Sequence, residues 1–274
     1  MKNIVITIIV IVLIIIGAVF VFKNKNADDV KLGDENTQNP TVVSGEGKVF
    51  FTITDAAADM KNVSEITMSV SKAEIHSEAR GWVTVSNEEK DFNLLALKSK
   101  GELALYATSN VSADTYNQVR LTVKKVLVKD KAGKTSEAKL PSGMLKINTK
   151  VEIRDQATST VKLDVLADKS LHTTGNGKYI FAPVLKVESR SEAHVDVSSG
   201  NKIVIHGGNV DANITVGMDV DGETKTDFIL DSKAGIDIDA GGLIQLKGGS
   251  SSKVNATSTS GTIEIKTDAI LNTN

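Results

Sequence analysis

Four histidines, His76, His172, His194 and His206, are the only imidazoles in a chain of 274 residues that contains no cysteine. A nucleophilic triad needs a histidine beside both a hydroxyl and an acid, and a zinc site needs several nitrogen, sulfur or carboxylate ligands together. These four positions therefore bound the chemistry available. Thiolate ligands, a cysteine nucleophile, disulfides and the cysteine of a lipoprotein anchor are excluded outright. Two of the histidines are spaced to meet. In HVDVSSGNKIVIH, residues 194 to 206, a hairpin about SGN sets His194 opposite His206, Asp196 opposite Val204 and Ser198 opposite Lys202. Such a cross-strand pair, with Asp196 two residues along, is the beginning of a zinc site. Two histidines and one carboxylate are an incomplete set, however, and such pairs also occur as plain surface residues.

A second candidate is acidic. DVDGETKTD, residues 219 to 227, carries Asp219, Asp221, Glu223 and Asp227 around Gly222. Clustered carboxylates on a tight loop are what calcium needs, although the spacing departs from an EF-hand loop. The plainer reading is a hairpin turn in which Asp-Gly supplies the dihedrals and the charges face water. DIDAGG, 237 to 242, is a weaker version of the same pattern. No other cofactor is indicated. Glycine pairs at 207, 241 and 248 fall between strands and not in a strand-to-helix phosphate loop, so they serve turns. The single tryptophan, Trp82 in GWVTV, is either a core residue or an exposed platform for a sugar ring. Arg120 in NQVRLTV faces away from its apolar neighbours and reads as one half of a surface ion pair.

The elements that must position these residues read mostly as strands. Aromatic residues make up 4% of the chain, so the core rests on Val, Ile, Leu and Ala. Thirty-two basic and 34 acidic residues are interspersed, with no basic stripe, which argues against a nucleic-acid partner. The exception to strand character is the N-terminus. Ile4 to Phe22 has no charge over 19 residues; as a helix it spans roughly 28 Å, close to the ~30 Å hydrocarbon layer. It reads as a single-pass membrane anchor over 1–25 and not as a cleaved signal, because no small-residue cleavage site follows. Lys2 competes with Lys23, Lys25 and Lys31 over orientation, and the cysteine-free β body is expected on the extracytoplasmic side. Residues 26–45, polar with Pro40 and Gly45, form a flexible linker.

From Gly47 the period is two. Val49, Phe51 and Ile53 share a face, with Phe50 the exception. In ITMSVSKAEIH the apolar set lies on Ile66, Met68 and Val70, then moves to Ala73 and Ile75. A regular strand cannot change parity, so a bulge or a passage between sheets is expected near Ser71 and Lys72. QVRLTVKKVLVKD repeats the device at Lys124 and Lys125. Two such strands suggest a two-layer sandwich whose strands pass between sheets at the corners. DFNLLALKSKGELAL, 91 to 105, is the one break, a short helix or an apolar plug. TDAAADMKN, from Thr54, reads as the loop leaving the first strand, with Asp55 accepting hydrogen bonds from nearby amides or capping one helical turn.

The series VFFTITDAAADMKNVSEITMSVSKAEIH, GWVTV, DFNLLAL, YNQVRLTV, LPSGMLKI, LDVLADKSL and YIFAPVLKV resembles the domain-of-unknown-function family 4382 of prokaryotic cell-surface proteins, over residues 46–190. The family opens on T-D-A-P-A, where this chain has Ala57 in place of proline, and LDVLADKSL is a looser match to the family's acidic strand. The resemblance implies a membrane-anchored or lipid-anchored envelope domain of β-sandwich type, Ig-like or transthyretin-like, with no established activity and no catalytic residues to carry over.

Residues 191–274 have their own texture: short strands separated by Gly, Asn and Ser about every ten residues. Val210, Ala212, Ile214, Val216, Met218 and Val220 alternate with polar residues, so one face is buried and one is wet. These residues are expected to form a second β module, a meander or alternatively a β-solenoid. The fold class is thus all-β. The function expected is that of a non-enzymatic cell-surface module for binding, adhesion or packing, its partners the membrane and a surface polymer or protein. A carbohydrate-binding version needs Trp82 with Tyr106, Tyr116 or Tyr179 on an exposed face; a metal-dependent enzyme is the remaining alternative.

Overall fold

The computed structural model describes residues 45–56, 60–198, 202–231 and 235–246, all within one compact unit, Val42–Asn274. The membrane anchor expected over 1–25, the linker expected over 26–45 apart from its last residue, and residues 247–274 of the C-terminal module lie outside the described residues. Among the described residues no helix is long and apolar enough to cross a membrane.

The protein is all-β, with strands numbered here in chain order. The larger sheet has eight strands centred on β1 (Glu46–Asp55), flanked by β5 (Leu103–Ser112) and β9 (Thr158–Val165). Beyond β5 come β14 (Lys202–His206) and β13 (His194–Val197). Beyond β9 come β12 (Val184–Ser191), β15 (Asn209–Met218) and β16 (Thr224–Thr226). β1 and β9 are parallel, with Val49 beside Ser159 and Asp55 beside Val165, while the other neighbours are antiparallel. Being central and covered, β1 buries both faces: Val49, Phe51 and Ile53 on one, Phe50 and Thr52 on the other. That accounts for Phe50, which the alternation left unexplained.

The smaller sheet has six strands built on the two longest, β2 (Val63–Ser77) and β6 (Asp114–Asp130). β3 (Gly81–Ser86) and β4 (Lys90–Asn93) share the far side of β2; β7 (Thr135–Ala138) and β8 (Met144–Ile153) share the far side of β6. The ladder between β2 and β6 steps from Ser69–Lys125 to Val70–Val123 to Lys72–Thr122, so Ser71 and Lys124 are each an extra residue. The bulges lie where the parity changes placed them. Their effect is to keep Ile66, Met68, Val70, Ala73 and Ile75, and likewise Val119, Leu121, Val123, Val126 and Val128, on one buried face. Neither strand passes to the other sheet, contrary to expectation; an extra residue corrects the pleat in place, and no corner is needed.

The two sheets enclose one core in which Phe51, Tyr106, Tyr116, Ile147 and Leu163 are fully buried. Each such side chain contributes about 1.5–3 kcal/mol over its exposed state. The two tyrosines keep their hydroxyls bonded, Tyr106 donating to Glu88 O at 3.2 Å and Tyr116 to Ser112 O at 3.0 Å. Burial pushes the Tyr116 phenol up to about 12. The 91–105 segment resolves into strand and helix: α1 (Leu94–Lys100) follows β4, capped by the Asn93 side chain on Ala96 N and stopped by left-handed Gly101. Leu94 drops from it into the core.

Asp55 ends β1 and reaches across the sheet to a distant element. Its Oδ1 accepts from Ala167 N at 3.4 Å, at the start of α2 (Ala167–Ser170), while Ala56 N donates to Asp164 Oδ1 at 2.8 Å. The parallel β1–β9 pairing brings these distant groups together, and residues 57–59, where a helical turn was an alternative, lie outside the described residues.

The boundary at 190 is not a domain boundary among the described residues. β12 and β15 extend the same sheet as β1 and β9, and β14 pairs with β5, so the expected separate module, meander or solenoid, is absent there. The alternation read in β15 holds, but burial grows along it, from exposed Val210 to fully buried Met218, because only its second half lies over the core. A satellite cluster of Ile180, Ala182, Phe228, Leu230 and Ile236 joins the hairpin of β10 (Leu171–Thr173) and β11 (Tyr179–Phe181) to that of β17 (Ile236–Ile238) and β18 (Ile244–Leu246).

Candidate binding face

The outer face of the six-stranded sheet carries the residues that the pleat turns away from the core. Cross-strand pairing lines them up in two rows. One runs Trp82, His76, Gln118, Asn148 across β3, β2, β6 and β8; the next runs Thr84, Glu74, Arg120, Lys146. The second bulge-corrected half of β2 is what turns Glu74 and His76 outward.

Although it points outward, Glu74 is only 5% exposed. Arg120 grips it with Nε and Nη2, both 2.7 Å from Oε2, and Lys72 Nζ lies 2.8 Å from Oε1. The Arg120 guanidinium in turn stacks on the Trp82 ring, 3.9 Å from its centroid. Burial pushes the Glu74 carboxyl up, but the hydrogen bonds from Lys72 and Arg120 outweigh it and hold the group below the ordinary carboxylate range. Arg120 is thus the ion-pair residue expected, in a pair more buried than a surface one.

Trp82 belongs to neither hydrophobic cluster and is half-buried. It is not a core tryptophan. One ring face lies on Arg120, and the His76 ring stands 5.0 Å away, tilted by 57°, with its Nδ1 3.2 Å from Asn117 Oδ1. The tyrosines do not extend this ring into a wider platform: Tyr106 and Tyr116 are fully buried, and Tyr179 packs against the core. Alternation alone could not separate them from surface residues, because a tyrosine fits either side of a strand.

At the β8 end the rows run into a cleft of about 470 Å³. Its floor is Gln118, Lys146 and Asn148; its walls are Ser142 and the turn of the β15–β16 hairpin at Gly222 and Glu223. Gly222, at φ +84°, permits this approach, since a Cβ there would sit 2.8 Å from the Ser142 side chain. Reading motif by motif missed the cleft, whose sides are 80 residues apart in sequence.

The acidic loop is this hairpin turn. Asp219 Oδ1 accepts from Asp221 N at 3.0 Å and Glu223 N at 2.9 Å, and Oδ2 takes Lys225 Nζ. The Glu223 side chain is 74% exposed, and Asp227, at φ 53°, uses its N–H on Thr215 O. The four carboxylates therefore do not converge. In DIDAGG, Asp239 closes its own turn by accepting from Leu243 N at 2.8 Å.

The histidine hairpin forms in the register read from the sequence, His194 opposite His206 and Asp196 opposite Val204, with Ser198 N donating to Lys202 O. Both Nε2 atoms lie 3.2 Å from the Asp196 carboxylate. Among the described residues no group of three or more His, Cys, Asp or Glu is disposed to hold a metal ion. His172 lies elsewhere, buried in β10, where burial pushes its imidazole down.

The sequence model of the family described as "Domain of unknown function (DUF4382)" matches residues 46–183, half of the chain. No curated protein and no solved structure matches. The matched span holds β1 to β11 and with them Trp82, Glu74, Arg120 and Lys146; the hairpin wall of the cleft lies beyond it.

Proposed function

The chain belongs to the DUF4382 family, and from that premise we propose that it is a non-enzymatic binding module of the cell envelope. In this reading the apolar stretch Ile4–Phe22 holds it to the membrane, the β-sandwich stands on the outer side, and the outer face of the six-stranded sheet engages a surface component. The observation that carries the reading is Trp82. A half-buried indole pinned to a buried Glu74–Arg120 pair is pre-ordered on an otherwise polar face, which is the arrangement of a recognition residue and not of a packing one.

The test uses the whole chain in its own membrane. Envelope material from the host is incubated with cells displaying the wild type or Trp82→Ala, and the bound fraction is measured. Wild type is expected to retain several times more than Trp82→Ala, while Asp196→Ala on the edge hairpin binds as wild type. Equal retention by Trp82→Ala and wild type sinks the reading. Protease added to intact cells is expected to remove the sandwich; a protected sandwich places it on the inner side instead.

A further inference from the structure

Arg120 and Lys146 stand directly opposite each other on β6 and β8. Like charges in that relation destabilise a sheet. Glu74 compensates Arg120, but it is already shared with Lys72. Among the described residues Lys146 has no carboxylate partner, and it forms part of the cleft floor. Three cations, Lys72, Arg120 and Lys146, thus face one buried carboxylate on the sheet, and the exposed Glu223 at the cleft wall is itself shared with Lys225 at 3.8 Å. A local conflict retained against stability marks a site where something else supplies the missing charge.

The rest of the cleft offers hydroxyl-matching groups. Gln118 Nε2 donates to Asn148 Oδ1 at 2.7 Å, which orients both amides and leaves Gln118 Oε1 to accept and Asn148 Nδ2 to donate. Thr224 adds a hydroxyl at the wall, and Ser142 another that already donates to Met144 O at 3.2 Å and accepts from Met144 N at 3.1 Å. Gln118 lies two strands from Trp82, roughly 10 Å away at ordinary strand spacing. An indole that stacks and paired amides that exchange hydrogen bonds with hydroxyls lie along one line across the strands, with the Lys146 ammonium beside its β8 end in the neighbouring row.

We propose that this line binds an acidic polysaccharide laid across β3, β2, β6 and β8, with a sugar ring on Trp82 and an acid group on Lys146 in the cleft. The proposal rests on the binding-face reading above and names the ligand class of that face. Lysine, a point charge, takes a carboxylate or a phosphate alike, so the test separates the two.

Trp82 is the only tryptophan, so its emission reports on this site alone. The full chain in detergent micelles is titrated with hexagalacturonate, with maltohexaose carrying a phosphate monoester, and with plain maltohexaose. At least one acidic probe is expected to change the Trp82 emission saturably and to raise the unfolding temperature, with affinity falling as salt rises. Plain maltohexaose is expected to bind at least tenfold more weakly. Lys146→Thr is expected to lose about tenfold in affinity for the acidic probe, the loss of one charge-assisted contact, and to unfold at the same or a slightly higher temperature than wild type without ligand. That second readout separates a lost ligand contact from a damaged fold. Equal affinity for acidic and plain probes, acidic binding that leaves the Trp82 emission unchanged, or no binding of either acidic probe overturns the proposal. If the probes fail while Trp82→Ala still loses envelope binding, the binding-face reading stands and only the ligand class falls; if Trp82→Ala retains envelope binding, the face itself is wrong.

Discussion

Two polar clusters on this molecule look alike in composition and behave differently in the fold. On the six-stranded sheet, Glu74, Arg120, His76 and Trp82 meet across three strands, with the Glu74 side chain 7% exposed. On the edge of the eight-stranded sheet, His194, Asp196 and His206 meet across one hairpin, with side chains 76%, 61% and 55% exposed. Both contain a carboxylate bridging two partners. Only the first removes that carboxylate from water, so only there do the partners have to stay. In the hairpin, solvent satisfies each group as well as its neighbour does. Desolvation, not the identity of the residues, is what converts a meeting of side chains into a fixed surface.

The largest break in that comparison should come from removing the buried carboxylate. Glu74→Ala leaves Arg120 and Lys72 without their acceptor and opens the support of Trp82. It is expected to cost about 2 kcal/mol in denaturant unfolding, the scale of a lost charged hydrogen bond, and to red-shift and broaden the response of Trp82 to quenchers. An unchanged unfolding midpoint would make the pair no different from the hairpin's.

Acid should separate two regions in order. His172 is buried with its folded pKa depressed by desolvation from the usual 6.5, so its contribution is full above that value and is lost as pH falls below it. Glu74 is also depressed, from 4.5, so its contribution persists through that range and is lost only at lower pH. Thermal unfolding followed from pH 7 to 3 is therefore expected to weaken first below about 6.5, a step absent in His172→Phe, and again below about 4.5. The second step is reduced in Glu74→Gln and completed by Glu152 and Glu188, whose carboxyls are likewise held low by their Lys and Arg partners. A single loss unaffected by His172→Phe contradicts this order.

Smallest is the hairpin itself. Asp196→Ala should change stability by no more than about 0.5 kcal/mol, the range of ordinary surface substitutions. A larger loss would show that the edge hairpin is held by its histidines after all.

The same contrast explains what could be read from the chain before its fold. The histidine hairpin was legible to the residue, because its partners are joined by one short turn and alternation fixes their register. The bulges at Ser71 and Lys124 were legible too, since a change of apolar parity has few causes. The Trp82 face was not. Its members come from residues 74, 82, 120 and 146, and nothing local in GWVTV or NQVRLTV reports that β2 lies between them. The C-terminal strands β13, β14, β15, β17 and β18 were legible as strands, whereas TDFILD leaves strand conformation after Thr226; all were read as a separate module, because short-range texture says how a segment pairs but not with which sheet.

The parallel pairing of β1 with β9 sets the timing of folding. Lys48 waits for Thr158 and Asp55 for Val165, so β1, the first of the described strands, can complete its ladder only after more than a hundred further residues have followed. Sheets closed by contacts so remote in sequence form slowly, on the millisecond-to-second scale, because loop entropy is lost before any pairing rewards it. During that interval KVFFTIT is an unprotected, β-prone, proline-free run of the kind that assembles with copies of itself. Glu46, Lys48 and Asp55, the charges at its ends, are then its gatekeepers against aggregation, an earlier task than any they perform in the finished sandwich.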